Sequence, residues 1–256
     1  MSSKRRVAVV TGATGHLGAN LIRSLVAHGW DVVATVRGDA RAVEGVPVRR
    51  VHADLLDERS LERAFAGAEV VFHLAAMLGI EGGDAELMWR VNLDGSLTVA
   101  RAAMSAGIRR MVHASSIQAL DPEPADDVVD ERRQLRLAPS ADPYGRSKAA
   151  AEQALLPLCA RGLEVVVVTP TAVIGPHDYK LSPLGQVLRS VFRGHMPASV
   201  SGGFDWVDVR DVAEGTVAAA ELGRPGERYL LGGWWATYHE LATIAARVAG
   251  LGWPVT

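Results

Sequence analysis

The amino-acid sequence predicts an α/β fold built on a doubly wound parallel sheet, and three observations support this prediction. Short runs rich in β-branched residues alternate with longer segments of helical periodicity. One run, Val165-Val166-Val167-Val168, has no alternation of polar and apolar residues, as expected of a strand covered on both faces. A glycine-rich turn joins the first run to the first amphipathic segment. In such a fold, ligands bind at the carboxyl ends of the strands.

The predicted elements follow one another in regular order. The first strand covers 7–11 and the helix after it covers 16–28; further strands are predicted at 31–36, 48–52, 70–74, 110–115 and 164–169. Helix starts are predicted at Asp142-Pro143 and Ser182-Pro183, and at two pairs that match capping boxes, Asp211 with Glu214 and Thr237 with Glu240. Residues 121–141 are rich in Pro and Asp, which predicts a long excursion next to a ligand site.

Composition argues against several kinds of partner. A formal net charge of −2 gives no reason to expect nucleic acid or an anionic membrane. Cys159 is the only cysteine, so neither an intramolecular disulfide nor a thiolate metal site can form. The eight histidines show no metal-ligand spacing, and no apolar stretch approaches the roughly 18 residues of a membrane helix. We therefore expect a cytoplasmic protein without a metal.

Three glycines spaced Gly-x-x-Gly-x-x-Gly form the turn between the first strand and the first helix. Gly12 permits a tight turn, Gly15 lets the backbone approach a pyrophosphate, and Gly18 lets the helix pack closely on the strand. The N–H groups at the helix start offer a partial positive charge to phosphates. A glycine triplet alone can be a plain tight connection. The flanking strand and helix favour a Rossmann-type dinucleotide site.

A second motif places a phenol and an ammonium four residues apart, at Tyr144 and Lys148. Residues at this spacing share one helical face, and a neighbouring cation favours the phenolate of a tyrosine whose ordinary pKa is about 10. Such a pair is also common on protein surfaces. Here Ser115 and Ser116 end a predicted strand upstream, where their hydroxyls can reach a substrate carbonyl.

Together these motifs resemble the extended short-chain dehydrogenase/reductase family, or NAD-dependent epimerase/dehydratase family. The matching stretches span most of the chain: residues 11–18, Asp54-Leu55, 73–76, Asn92, Ser115-Ser116, Tyr144 with Lys148, and 170–176. The resemblance implies that cofactor contacts come from the glycine turn and from later strand ends, namely Gly12, Thr14, Gly15, His16, Leu17, Gly18, Arg37, Asp54, Leu55, Leu74, Ala75, Ala76, Tyr144, Lys148, Pro170 and Val173. Within this set, it implies that Asp54 and Leu55 hold the adenine and that Pro170 and Val173 touch the nicotinamide amide.

The same resemblance assigns the chemistry. It implies that Tyr144 exchanges a proton with the substrate oxygen and that Ser116, rather than Ser115, positions this oxygen. Lys148 is implied to lower the pKa of Tyr144 and to bind the nicotinamide ribose, and Asn92 to belong to the proton relay reaching Lys148. Ser116, Tyr144, Met77 and His177 are the candidate substrate contacts. As a lone loop histidine, His177 could instead be simply solvent-exposed.

The end of the second predicted strand predicts the cofactor. NAD-preferring relatives usually carry an acid at the position of Val36, whereas this chain continues with Arg37, which can pair with a 2′-phosphate. NADP is therefore predicted, with Arg41 as a helper, and NAD remains an alternative. Arg37 could also be a solvated strand-end residue.

Thr35-Val36-Arg37 resembles the dihydroflavonol reductase branch, and residues 175–178, 189–197 and 207–215 resemble hopanoid-associated sugar epimerase-like proteins. We predict an NADP-dependent oxidoreductase that transfers a hydride between the nicotinamide and a carbonyl or alcohol of a small molecule. A nucleotide-sugar epimerase with tightly bound NAD is the alternative, and a catalytically inactive nucleotide-sensing regulator is a third reading. Ile117-Gln118 stands where the family's dehydratases carry an Asp-Glu pair, which argues against dehydration.

The predicted domain organisation is one extended domain over 1–256, with a Rossmann core at 1–176 and 206–232. A small C-terminal substrate lobe is expected at 177–205 and 233–256, shorter at its C-terminal end than in relatives. Its remaining substrate candidates are 77–83, 177–196 and Trp234-Trp235. The family resemblance also implies a homodimer formed through helices at 85–106 and 144–160.

Overall fold

The structure, a computed structural model, describes residues 5–78, 84–195 and 201–251. Its central sheet consists of β1 (Val7–Thr11), β2 (Asp31–Val36), β3 (Arg49–His52), β4 (Val70–His73), β5 (Arg110–Ala114), β6 (Glu164–Pro170) and β9 (Arg228–Leu231). The strand order is β3-β2-β1-β4-β5-β6-β9, and every adjacent pair is parallel. The predicted doubly wound parallel sheet is confirmed, with strand ends within two residues of the predicted ones.

Helices cover both faces of this sheet. They are α1 (His16–Ala27), α2 (Glu58–Phe65), α3 (Ala85–Trp89), α4 (Gly95–Ser105), α5 (Pro143–Leu155), α6 (Pro183–Phe192), α7 (Val209–Leu222) and α8 (Tyr238–Val248). One buried apolar layer contains Leu21 of α1 and Val217 of α7. The layer on the other face contains Leu61 of α2, Val99 of α4 and Leu155 of α5. Because both faces are covered, all of Val165–Val168 is buried.

A second, three-stranded sheet was not predicted. It consists of β7 (Ala172–Ile174), β8 (Gly203–Asp208) and β10 (Trp234–Thr237) in the order β10-β8-β7, with β8 parallel to β7 and antiparallel to β10. Trp206 is buried and its indole N–H donates to the Ala236 carbonyl at 2.8 Å. Within the predicted substrate lobe, residues 196–200 and 252–256 lie outside the described part of the chain, as do 79–83.

Helix caps agree with the sequence in three of four places. The side chains of Asp142, Ser182 and Thr237 accept backbone N–H groups three residues on, and Thr237 and Glu240 form the predicted capping box. The predicted cap at Asp211 is wrong. β8 passes directly into α7, so Asp208 is the N-cap and Asp211 lies in the first helical turn.

Two predicted helices are interrupted. The helix at 85–106 contains a π-helical turn, Arg90–Asp94, between α3 and α4. The helix at 144–160 ends as α-helix at Leu155 and continues as the 3₁₀ turn Leu156–Arg161, which contains Pro157. Residues 121–141 form the predicted excursion, and an isolated antiparallel β-bridge joins Leu135 within it to Leu120.

Strand register brings polar residues together at one end of the sheet. Thr11 pairs with His73, His73 with His113, and His113 with Val167, so these four residues form a row across β1, β4, β5 and β6. Val167 packs in the apolar layer of α4 and α5, and paired residues in parallel strands share a face, so the whole row points toward these helices.

Among the described residues, none of the helices combines the length and the apolar character that a membrane span needs.

Candidate active site

The glycine turn after β1 packs so tightly that two of its glycines cannot carry a side chain. Gly12 has a φ of +73°, and a Cβ there would lie 2.6 Å from the Ala75 nitrogen. A Cβ on Gly18 would lie 2.1 Å from the Gly12 carbonyl oxygen. Gly15 is the N-cap of α1 and provides no side chain to cap its N–H groups. The turn therefore presents free backbone donors at the start of α1.

A cleft of about 1080 Å³ opens over this turn. Nine of the predicted cofactor contacts line it: Gly12, Thr14, Gly15, His16, Arg37, Leu55, Leu74, Ala75 and Ala76. Further lining comes from the ends of β2 and β3 and from residues 178–190 around the start of α6. The size and the free N–H groups suit a dinucleotide.

The other seven predicted cofactor contacts are not among the described residues that line the cleft: Leu17, Gly18, Asp54, Tyr144, Lys148, Pro170 and Val173. Gly18 instead maintains the close packing of α1. Asp54 acts as a local turn residue, because its Oδ1 accepts the backbone N–H of Leu56 at 2.8 Å. Val173 lies in β7, where it pairs with Val207 of β8.

The charged groups near the end of β2 are unevenly paired. Arg41 binds Asp39 through two nitrogens at 2.7–3.1 Å, which holds the pKa of this carboxyl at about 2. Arg37 approaches Asp54 only to 4.0 Å, and both side chains are about half exposed. Arg41, expected as a helper of Arg37, is thus engaged with Asp39, whereas Arg37 stays free to turn toward the cleft.

Tyr144 lies in the first turn of α5, and its hydroxyl lies close to Ser116, which lowers the Tyr144 pKa. The helix sits close to the turn after Ser116, because a Cβ on Gly145 would lie 2.2 Å from the Gln118 carbonyl oxygen. Sequence reasoning missed this role of Gly145, although a glycine between Tyr144 and Lys148 was visible. Ser115 is buried, and its hydroxyl has no partner among the described residues. The geometry therefore favours Ser116 over Ser115.

Burial is the largest influence on the pKa values of Tyr144 and Lys148. Burial, opposed by Ser116 and assisted by the Asp142 charge, raises the pKa of Tyr144 to about 12. Burial lowers the pKa of Lys148 to about 8, and the Glu152 carboxylate raises it. The expected lowering of the Tyr144 pKa by Lys148 is not found in this structure, where burial of the phenol is the largest effect and raises the pKa.

Asn92 joins the segment after β4 to α5 by hydrogen bonds. This fully buried residue of the π-helical turn donates to the Met77 carbonyl at 3.0 Å and to the Ser147 hydroxyl at 2.9 Å, and it accepts the Met77 N–H at 2.8 Å. Ser147 in turn donates to the Tyr144 carbonyl at 2.7 Å. Asn92 thus ties Met77 to the helix that carries Tyr144. π-Helical turns often accompany functional sites.

Two fully buried histidines, His73 and His113, lie close enough to Lys148 for its charge to act on both. The Nδ1 atom of His73 lies 2.7 Å from the Thr11 hydroxyl and its Nε2 atom 2.9 Å from the Ser96 hydroxyl. Both ring nitrogens of His113 lack partners among the described residues. Burial lowers the pKa of His73 to about 3 and that of His113 well below its ordinary value, and the Lys148 charge contributes in each case. Both rings are neutral at neutral pH.

A buried ion pair continues this polar layer and was not predicted. Glu152, one turn after Lys148, is fully buried and binds Arg228 of β9, whose Nε lies 2.7 Å from Oε1. Arg228 also donates to the carbonyl oxygens of Glu131 and Arg133 at 2.8 and 3.1 Å. This pair connects α5 and the sheet to the excursion at 121–141. Its partners are 76 positions apart, so no local sequence pattern indicates the pair.

His177, a predicted substrate contact, lies on the surface. Its side chain stacks on Tyr179, with ring centroids 5.9 Å apart, and its backbone has a φ of 64°. Burial and the nearby Arg23 and His16 lower its pKa. No hydrogen bond in the described part of the chain joins it to Tyr144 or Ser116.

The fold and site define a class. A Rossmann sheet whose glycine turn opens into a dinucleotide-sized cleft, together with a tyrosine close to a serine and a buried lysine one helical turn after the tyrosine, is typical of NAD(P)-dependent enzymes of the short-chain dehydrogenase/reductase type. The comparisons with known proteins specify the family. Residues 8–232 match the model of the NAD dependent epimerase/dehydratase family, and the chain belongs to this family.

Similar proteins include both reductases and epimerases. The chain is 40% identical over 227 residues to "Sterol demethylase protein B" of Methylococcus capsulatus, covering 88% of this chain and 69% of the relative. It is 36% identical to a "Putative dihydroflavonol 4-reductase" of Synechocystis sp., covering 87% and 66%. The chain thus spans about two thirds of these relatives. Among solved structures, a nucleoside-diphosphate-sugar epimerase from Pseudomonas aeruginosa matches with a TM-score of 0.84 at 26% identity, covering 97% of this chain and 79% of that chain.

Proposed function

We propose that the protein is an NADP-dependent reductase that delivers a hydride to a carbonyl carbon of a small organic substrate. The closeness of Ser116 to the Tyr144 hydroxyl is the observation that carries this proposal. It brings a proton donor and a second hydroxyl to one point, where both can reach the same substrate oxygen. The cleft over the glycine turn and the buried Lys148 also support the proposal.

The cleft fits the adenosine and pyrophosphate of such a cofactor. Since a Cβ on Gly12 or Gly18 would collide with the backbone, the turn has the close form that lets N–H groups meet a pyrophosphate. A bound nicotinamide would supply or accept the hydride. The N–H groups at the start of α1 would hold the phosphates, and Leu55 and Ala53 would contact the adenine.

The ionisation of Tyr144 supports the reductive direction. With its pKa raised to about 12, the phenol keeps its proton at neutral pH and can donate it to an oxygen that gains negative charge. Ser116 would donate a second hydrogen bond to this oxygen. Lys148, with a pKa of about 8, is mostly protonated at pH 7 and would bind the nicotinamide ribose.

Arg37 supports NADP over NAD. Its guanidinium lines the cleft and has only a long contact with Asp54, so it can pair with a 2′-phosphate. The acidic residue nearest in sequence to the end of β2, Asp39, is bound by Arg41 instead of being free to accept from ribose hydroxyls. Equal affinity for NADPH and NADH would contradict this assignment.

An epimerase is the second candidate, since the similar Pseudomonas aeruginosa structure is of a nucleoside-diphosphate-sugar epimerase. A purified reductase should release its cofactor on dialysis and consume added NADPH with a panel of aldehydes and ketones. An epimerase should retain NAD and consume none. The absorbance of reduced nicotinamide measures NADPH consumption, and NAD released by denaturing the dialysed protein measures retention. Retained NAD without NADPH consumption would overturn the reductase proposal.

We also propose a cytoplasmic homodimer formed through the helices at 85–106 and 144–160. The family resemblance supports this arrangement. Light scattering of the purified chain tests it, and a monomer at all concentrations would contradict it.

A further inference from the structure

One stretch of the lobe after β7 lies directly on the helix that begins at the glycine turn. We call residues 175–182 the cover segment. The Nε2 atom of His16 lies 3.1 Å from the Pro176 carbonyl oxygen, and Asn20 Nδ2 donates to the same oxygen at 2.9 Å. These contacts fix the start of the cover segment over the first turn of α1.

The middle of the cover segment is held in one shape. Asp178 Oδ2 accepts the backbone N–H of Ser182 at 2.8 Å and its hydroxyl at 2.7 Å. Leu181 has a φ of 50°, in the left-handed region that residues other than glycine rarely occupy. Contacts at both ends therefore determine where the residue between them, Lys180, enters the cleft.

Lys180 reaches the glycine turn from this segment. It lines the cleft, and its Nζ donates to the Thr14 hydroxyl at 3.2 Å. Within the described residues no carboxylate oxygen lies within 4 Å of this ammonium. Asp39 lines the same cleft, and the Lys180 charge contributes to lowering the Asp39 pKa. Lys180 is thus a cation whose one hydrogen-bond partner here is a neutral hydroxyl.

The charges at this end of the cleft leave room for an anion. Arg41 and Asp39 neutralise each other in a close pair, whereas Arg37 meets Asp54 only at 4.0 Å. Arg37 and Lys180 therefore remain as two incompletely paired cations that line one cleft, from opposite parts of the chain. A phosphate monoester carries between one and two negative charges near neutral pH and offers three acceptor oxygens. A phosphate bound between the two side chains would accept hydrogen bonds from both.

We propose that Lys180 binds the 2′-phosphate of NADP, together with Arg37, so that the cover segment helps select the cofactor. This proposal rests on the NADP preference proposed above. Discrimination between NADP and NAD is then divided between the end of β2 and the lobe that also borders the substrate space. No covalent step is involved.

The test is calorimetric titration of the purified chain with NADPH, NADH, 2′,5′-ADP and 5′-AMP. Lys180→Met should weaken NADPH and 2′,5′-ADP about tenfold or more, because one charged hydrogen bond to the phosphate is lost. NADH and 5′-AMP should stay within about twofold, since they lack this phosphate. Lys180→Arg should restore most of the affinity. Arg193→Met, which removes an exposed charge from the same lobe outside the cleft lining, is the matched control and should change nothing.

Two results overturn the proposal. One is unchanged affinity of Lys180→Met for all four ligands. The other is an equal loss for NADH and NADPH, which would assign Lys180 to the pyrophosphate. The NADP preference itself fails separately, if the unmodified chain binds NADPH and NADH equally and Arg37→Met has no effect. The role of Lys180 alone is refuted if the unmodified chain prefers NADPH, the Arg37→Met variant loses this preference and the Lys180→Met variant keeps it.

Discussion

Replacing Glu152 by alanine should destabilise the folded chain strongly, because it leaves a buried guanidinium without its counter-ion. Glu152 is fully buried and the Arg228 side chain is only 11% exposed. After the change, Arg228 keeps the carbonyl oxygens of Glu131 and Arg133 but no negative charge. Breaking a buried pair in this way costs about 3–5 kcal/mol. For a chain of this length, the loss corresponds to a fall in Tm of roughly 6–20 °C.

Thermal and urea unfolding of four chains measures this coupling: the unmodified chain, Glu152→Ala, Arg228→Met and the double variant. The double variant should lose clearly less stability than the sum of the single losses, since removing both charges removes the uncompensated one. Asp130→Ala, which breaks an exposed ion pair with Arg132, is the control and should leave the Tm unchanged. Additive losses in the double variant, or a Tm of Glu152→Ala close to that of the unmodified chain, would refute the reasoning.

Three further outcomes are expected. Gly18→Ala should abolish tight NADPH binding and destabilise the chain by about 1–3 kcal/mol, because its Cβ would lie 2.1 Å from the Gly12 oxygen; calorimetry and urea unfolding measure both effects. The free energy of unfolding should fall as the pH drops below about 6.5, by up to about 1.4 kcal/mol per pH unit for each of His73 and His113. The reason is that both histidines bind a proton in the unfolded chain but stay neutral when buried in the folded one. His113→Gln should show a smaller dependence of stability on pH. Glu152→Gln should shift the pKa of Lys148 further below about 8, which would appear as a shift of the activity profile to lower pH; an unshifted profile would contradict it.

Local sequence signals were sufficient for the core of the fold. A strand such as Val165–Val168 and a helix start such as Asp142-Pro143 are each encoded within a few residues, and both are confirmed. The second sheet was missed because its strands are short and come from distant segments. Gly203–Asp208 pairs with Trp234–Thr237, which lies far away in the sequence. Asp208 and Asp211 both precede helical residues, so only the direct passage from β8 into α7 decides between them.

For the site, spacing predicted which groups could meet but not their surroundings. Tyr144 and Lys148 share a helical face, yet burial sets the direction of both pKa shifts, and burial depends on the whole fold. Glu152 meets Arg228 only because β9 pairs with β6, and Lys180 meets Thr14 across 166 positions of sequence. Contacts of this kind have no local signature.

The most direct test of the central claim compares Tyr144→Phe with the unmodified chain. NADPH oxidation is followed by absorbance with whichever carbonyl compound of the panel reacts fastest, and NADPH affinity is measured by calorimetry. Loss of the proton donor should lower kcat by about 10²–10⁴-fold while the NADPH dissociation constant changes little. A Tyr144→Phe chain that turns over substrate within a few fold of the unmodified rate would contradict the role of Tyr144 as proton donor and with it the proposed reaction.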